Sequence, residues 1–251
     1  MPSNVACVLQ PTFLPWVGFF DLMDQCDVVV WLDDVGFSKQ SWQQRNRLRG
    51  PDGLEYLSVP VKTAGKLGQN IYSVEVADDS FSDSALRRIS ELYESSSHYS
   101  EFFPKLVVAF EEGSRTKLLA ELNVRLIDFF CVAFDMSKKT VRSSQIPNDG
   151  KRGDKVAQIC ESLGIDTYIS PWGAASYLAE DLICFLDRRI DVYLHAYEHP
   201  VYTQSFEPFL SHASVVDLLM NEGDKSFDIL RSGRREPVEF VQWRQSDHDF
   251  D

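Results

Sequence analysis

The sequence predicts an α/β fold in which a parallel sheet carries helices on both faces. Three observations predict it. Two short apolar runs, 5–9 and 28–32, are bounded by turn residues, as strands buried on both faces are. Between them Phe19, Phe20, Leu22 and Met23 recur at helical spacing, so a strand–helix–strand unit with a right-handed crossover is implied. The same rhythm of apolar strands and amphipathic helices returns after residue 140.

At 251 residues the chain allows one large domain or two small ones, and 44% hydrophobic and 12% aromatic residues supply a substantial core. The expected organisation is an α/β core over 1–80 and 137–230, a helical insertion over 81–136, and a partly disordered C-terminal tail over 231–251.

In chain order, the first strand breaks at Gln10-Pro11, and Pro11, Pro15 and Gly18 punctuate the turn before the helix. The second strand ends in Asp33-Asp34. Ligands of open α/β sheets bind beyond the carboxyl ends of the strands, so Gln10, Asp33 and Asp34 stand at the predicted ligand edge. The stretch 37–49 follows with Lys39, Arg45, Arg47, Arg49 and no acid. A turn at 50–53 leads into a strand over 55–61. The polar loop 63–70 is a candidate flap, and 71–76 alternates as a strand.

From 82 to 136 the pattern is helical. Asp83 or Ser84 caps a helix carrying Leu86, Ile89 and Leu92, and a second carries Phe102, Leu106 and Phe110. Ser114 caps a third with Leu118, Leu122, Leu126 and Phe130 on one face. A strand over 140–143 comes next, then a helix that Gly164 closes. Strand 165–170, helix 174–185 and strand 190–197 complete the core. Residues 199–213 are irregular and aromatic, Ser214 caps the last helix, and the tail from 231 reads as poorly ordered, above all 245–251.

Composition narrows the function classes. No run approaches the ~20 apolar residues that span a bilayer. The N-terminus lacks a basic n-region and an apolar h-region, which predicts a cytoplasmic protein. Five cysteines without a CxxC pair read as buried thiols rather than a disulfide or zinc framework. A lone Asp-Asp pair is not a metal signature, so no metal is predicted. A net charge of −13 argues against long nucleic acid and leaves room for a local anion site. GxGxxG, GxxxxGK[ST] and GxSxG are all missing from the sequence.

The polar strand ends assemble a candidate pocket: Gln10, Asp33 and Asp34, Ser143 and Ser144, Ser170, and His199. Adjacent residues point apart, so one of Asp33 and Asp34 is expected to reach the pocket. His199, after a strand and before Pro200, leads as general base, with Tyr202 and Gln204 close by and His212 second. Arg45, Asn46 and Arg47 suit an oxyanion or phosphate clamp, because guanidinium offers planar paired donors. Arg152 and Asp154 add an anion contact at a helix N-terminus.

Several long stretches carry a resemblance. LQPTFLPWVGFFDLM, VVVWLDDVGFSKQSWQQRNR, LSVPV, SSQIPNDGKRGDKVAQIC, YISPWGAASYL, YEHPVYTQ and SVVDLLMNEG together resemble, in order, the WbqC-like family. Trp16, Trp42, Tyr177 and Asn221 lie in these stretches and complete the set of candidate substrate contacts. The resemblance implies a transferase that places an acyl group, often aminoacyl such as glycyl, on the amine of a sugar in bacterial surface-glycan or secondary-metabolite biosynthesis. Gly36 stands where the family usually has Gln, and Pro171-Trp172 departs from its commoner SGxxGxxYL. The opening unit is also similar in layout to HIGH-motif nucleotidyltransferase-like enzymes, which implies a Rossmann-like (HUP-like) sheet. Here Trp16-Val17-Gly18-Phe19 keeps the glycine without the histidines that stabilise charge during adenylyl transfer.

The functional expectation is therefore acyl or aminoacyl transfer to an amino sugar, nucleotide-linked, with no cofactor required. The donor would be a carrier-protein or coenzyme thioester, or an aminoacyl-tRNA. His199 would deprotonate the amine, Asp33 or Asp34 orient it, Arg45 and Arg47 hold phosphate, and Asn46 or Gln10 donate to the oxyanion. The alternatives are an ATP-dependent ligase or nucleotidyltransferase, and a non-catalytic module that binds a nucleotide sugar or carrier protein.

Overall fold

The first unit is β1 (Val5–Leu9), α1 (Val17–Asp24) and β2 (Val28–Trp31). The structure, a computed structural model, describes residues 4–245, the side chains of Tyr177 and Gln245 excepted. β1 and β2 pair in parallel with Cys7 opposite Val29 and Leu9 opposite Trp31. β5 (Lys139–Arg142) adds to β2, and β6 (Thr167–Ser170) and β7 (Asp191–Leu194) extend the sheet from the other side of β1. With β8 (Val238–Glu239) the order is β5-β2-β1-β6-β7-β8, and only the last pairing is antiparallel. This mostly parallel sheet is Rossmann-like, and the direction of winding reverses between β1 and β6.

Alternate residues of each strand feed two cores. Cys7, Leu9, Val29 and Trp31 pack with α1 and with α2 (Phe81–Tyr93), α3 (Tyr99–Ser114) and α4 (Leu119–Ala133). The same core takes in α7 (Val215–Glu222) and α8 (Ser226–Ser232). Ala6, Val8, Val28 and Val30 pack on the opposite face with α5 (Arg152–Ser162), α6 (Ala175–Leu186) and α9 (Phe240–Gln245). Burial on both faces is why the strands read as continuous apolar runs. The helices of 81–133 thus share one core with the sheet, where Phe20 packs against Phe130 and Phe134 at 5.7 and 5.6 Å.

The structure departs from the sequence-based expectation in three places. The basic stretch forms β3 (Arg45–Gly50), and β4 (Gly53–Ser58) starts earlier than expected; the two make an antiparallel ribbon apart from the main sheet. The tight 50–53 turn folds one run back on the other, which a parallel crossover cannot do. Residues 71–76 hold a short 3₁₀ turn instead of a strand, because the Ile71 and Tyr72 amides donate to Val35 and Asp33 carbonyls. Residues 231–245, read as part of a poorly ordered tail, complete α8 and form β8 and α9, burying Phe240 and Trp243. Most of the 245–251 segment lies outside the described residues. Among the described residues no helix is long and apolar enough to cross a membrane.

Candidate functional site

A cavity of about 960 Å³ opens beyond the carboxyl ends of β1 and β6, where the winding reverses. Its size is at the upper end of the ~300–1,000 Å³ typical of small-molecule sites. The sheet contributes Val8, Leu9 and Tyr168, with Gln10 and Leu32 just past the strand ends. Arg152, Gly153 and Val156 open α5, and Pro171, Gly173, Ala174 and Leu178 lead into and along α6. The remaining wall is Thr12, Trp16 and Phe19 from the β1–α1 region, Trp42, Asn46 and Arg47 from the ribbon and its lead-in, and His212.

Buried hydrogen bonds assemble that wall from distant stretches. Asn123 of α4 donates through one amide nitrogen to the Pro11 and Gln43 carbonyls, at 3.0 and 2.7 Å. The Phe13 amide donates to the Trp42 carbonyl, which fixes the turn after β1 against the lead-in to β3. The Ser214 amide then donates to Arg47 O and the Val215 amide to Pro15 O, at 2.7 and 2.8 Å. Gln10, Trp16, Arg47 and His212 are thereby held on one rim although up to 202 positions separate them.

Trp16 is the hub of that rim. Its indole stacks with His212 at 5.2 Å and with His199 at 6.1 Å, and meets Tyr197 edge-on at 5.5 Å. It lies across Gly18, where a Cβ would come within 2.2 Å of the ring. A side chain at position 18 fits only if the indole moves.

The two histidines are held neutral. Burial pushes His199 down to about 4, against a small upward pull from the Pro200 carbonyl and with help from His212. A carbonyl only accepts, so His199 Nδ1 carries the proton it shares with Pro200 O at 2.9 Å. Its Nε2 is therefore a lone-pair atom, buried without a hydrogen-bond partner. His199 does not line the cavity; it sits behind Trp16 and 5.1 Å from the His212 ring. His212 does line it, with its pKa lowered by burial and then by the charge of Arg47.

Arg47 places its guanidinium 5.4 Å from the Trp42 ring and donates to His212 O at 3.3 Å. Its Nε is buried without a partner, and among the described residues no carboxylate is within ion-pair distance of it. Gln10 accepts from Gln43 Nε2 at 2.7 Å, which turns its own NH₂ donors away from that contact. Asn46 lines the cavity with its amide committed to Phe13 O and to the Arg47 amide. Arg152 lines it too, paired with Glu180 at 2.6 Å and Asp181 at 3.6 Å.

The other sequence-predicted contacts fall outside the lining. Asp33 is fully buried and accepts from Ser143 Oγ, the Ser144 amide, Ser144 Oγ and Arg142, which ties the end of β2 to the end of β5. Burial alone would raise the Asp34 carboxyl, but hydrogen bonds from Lys155 (2.6 Å) and Ser143 hold it below its usual value. Neither aspartate reaches the cavity, because the β5 loop and α5 supply partners that lie far away in sequence. Lys39 is exposed, and Arg45 stacks on Tyr56 at 4.4 Å on the ribbon. Asp154 pairs with Arg188 at 3.0 Å, and Ser170 is buried beside the Tyr168 hydroxyl. Tyr202 and Gln204 donate to the carboxylate of Asp217, buried at the start of α7, at 2.8 and 2.7 Å, and Asn221 donates to the Asp217 main-chain carbonyl at 2.8 Å. The Tyr177 side chain lies outside the described residues.

Sequence reasoning missed the apolar lining of Leu32, Val156, Tyr168 and Leu178, which strand and helix periodicity assigned to core. It also missed Asn123 and Asp217, polar residues on otherwise apolar helix faces; that pattern was the available signal. The loop 63–70, a candidate flap, is not in the lining; Lys62 just before it and Lys66 within it both bond Glu75. Among the described residues no group of three or more His, Cys, Asp or Glu is placed to hold a metal.

Fold and cavity together define an α/β protein with a cavity of small-molecule size at the switch point of a Rossmann-like sheet. Residues 10–229 match the model of the WbqC-like protein family, and the chain belongs to that family. It is 27% identical over 228 residues to the uncharacterized protein Rv1507c of Mycobacterium tuberculosis (strain ATCC 25618 / H37Rv), covering 91% of this chain and 98% of the relative. No solved structure matches the chain. Membership of the family suggests a glycan-related transferase.

Proposed function

We propose that the protein transfers an acyl or aminoacyl group from an activated donor to the amine of a nucleotide-linked amino sugar. The observation that carries this reading is the rim on which Gln10, Arg47 and His212 meet over an apolar cavity at the switch point. His212, kept neutral by burial and by Arg47, accepts the proton of the attacking amine. The same positive charge lowers the pKa of an incoming ammonium, so the amine arrives in its nucleophilic form. The amine nitrogen bonds to the thioester or ester carbonyl carbon. Arg47 and the Gln10 amide donate to the oxyanion, and the thiolate or alkoxide leaves as the carbonyl reforms. The His212 proton then passes to the leaving group. Orientation of the two substrates in one desolvated cavity supplies most of the rate, without a covalent enzyme intermediate. His199 acts as a positioning residue, stacked on Trp16 and tilted against His212.

Incubation with acyl-coenzyme A donors and UDP-linked amino sugars tests the reaction, with thiol release and product mass as readouts. Arg47→Gln and His212→Ala are expected to lower turnover by about 10²–10³-fold, whereas Arg45→Gln leaves it unchanged. A wild-type protein that releases no thiol with any donor and acceptor pair, or a fully active His212→Ala, overturns the reading.

A further inference from the structure

Among the described residues that line the cavity there is no aspartate or glutamate. Apart from Arg152, the part of the wall built by the sheet, α5 and α6 is apolar, with Val8, Leu32, Val156, Tyr168 and Leu178. The Tyr168 hydroxyl is turned to Ser170 Oγ at 3.4 Å. Carboxylates close in sequence to the lining residues are committed elsewhere. Asp33 serves Arg142 and the 143–144 turn, Asp34 serves Lys155, and Asp181 accepts the Gly153 amide at 2.9 Å. The one charged residue of α5 in the lining, Arg152, is paired with Glu180 and Asp181 on α6. The polar atoms that can meet a reacting carbonyl, from Gln10, Arg47 and His212, come from the loops and the ribbon.

The site therefore has two unlike parts: a polar, cationic rim and an apolar chamber without a counter-charge for a cation. A glycyl group would leave the chamber unfilled. An ammonium carried into it would be an unpaired buried ion, and such a group sheds its proton or stays out. From this we infer that the chamber houses an apolar acyl chain of several carbons, so that the transferred group is a fatty or other hydrocarbon acyl group rather than an aminoacyl one. The inference rests on the transfer reading above, and it decides between the donors which that reading leaves open. The acceptor amine is not excluded by the same logic, because it reacts at the rim and must lose its proton to react.

Isothermal titration of the full-length protein with straight-chain carboxylates, from acetate to octanoate, measures the chamber without turnover or acceptor. Affinity is expected to rise about fourfold per methylene until the chamber is filled. At neutral pH 8-aminooctanoate is expected to bind roughly a hundredfold more weakly than octanoate, and to recover as the pH approaches the ordinary amine pKa of ~10.4. Val156→Phe, on a half-buried face of α5, is expected to shorten the longest chain that still gains affinity. A flat series, absence of binding throughout, or equal binding of the amino-carboxylate overturns the inference, as does an unchanged chain-length optimum in a folded Val156→Phe. If that variant does not fold, the wild-type series alone decides. Because no acyl transfer is measured, a failed transfer assay leaves this result standing, and a failed titration leaves transfer from another donor standing.

Discussion

Gly18→Ala adds a single methyl group, and the structure assigns it a disproportionate effect. The new carbon would lie 2.2, 2.5 and 2.7 Å from three atoms of the Trp16 six-membered ring. Carbon–carbon contacts settle near 3.5–4.0 Å, so the indole has to retreat by more than ~1 Å. Its contacts with His212, His199 and Tyr197 are lost or weakened, and each such ring pair is worth about 0.5–1.5 kcal/mol. Alanine returns at most about 1 kcal/mol of helix propensity in the first turn of α1. The net expectation is a loss of about 2 kcal/mol, or roughly 4–8 °C in Tm for a chain of this size. Gly36→Ala is the matched control, since nothing lies within 4 Å of its Cβ position. Thermal unfolding by calorimetry compares the two, and titration with octanoate reports on the cavity that Trp16 lines. A Gly18→Ala protein as stable as Gly36→Ala, with undiminished octanoate affinity, would refute the packing of Trp16 on Gly18 and its place as hub of the rim.

Asp33→Asn is expected to cost about 3 kcal/mol in urea unfolding, because an amide replaces one acceptor oxygen among four donors in a buried turn. Loss of activity without loss of stability would instead argue for a carboxylate that touches substrate. Two buried groups give opposite pH signatures. His199, depressed from 6.5 to about 4, leaves the folded state neutral while the unfolded chain takes up a proton. Stability is therefore lost as pH falls from about 6.5 to 4, by about 2 kcal/mol once partial exposure is allowed for. Asp217, raised from 3.8 to about 6, works the other way: its contribution is present below about pH 4 and lost as pH rises through 6, by about 3 kcal/mol. Urea titrations of His199→Gln and Asp217→Asn against wild type at pH 4 and pH 7 separate the two, and identical differences at both pH values would contradict the assignments. Gly36→Gln is expected to change stability by less than about 0.5 kcal/mol, because the position is exposed and open; a collapse in melting temperature would show a hidden contact.

Short-range physics determined much of this protein from sequence alone. Apolar runs at 5–9 and 28–31 with helical spacing between them specify a parallel unit, because side-chain periodicity depends only on neighbours a few positions away. The polar break at Gln10 and the donors at Arg47 follow from the same local reading, and both line the cavity. So does Trp16, although nothing local says that its indole rests on Gly18 and against two histidines. What periodicity could not decide was which polar residues are satisfied by partners elsewhere. One of Asp33 and Asp34 is expected from sequence to reach the pocket, but Ser143, Ser144 and Lys155, more than 100 positions away, take up the oxygens of both. Tyr202 and Gln204, expected from sequence as substrate contacts, are held by the buried Asp217 carboxylate, and Asn221 bonds the Asp217 main-chain carbonyl. A buried polar group must find a partner, and that partner is chosen by how the sheet is wound and not by sequence distance. The tertiary structure alone therefore decided which carboxylates hold the fold together, and left the cavity with Arg47 and Arg152, the neutral His212 and an otherwise largely apolar wall.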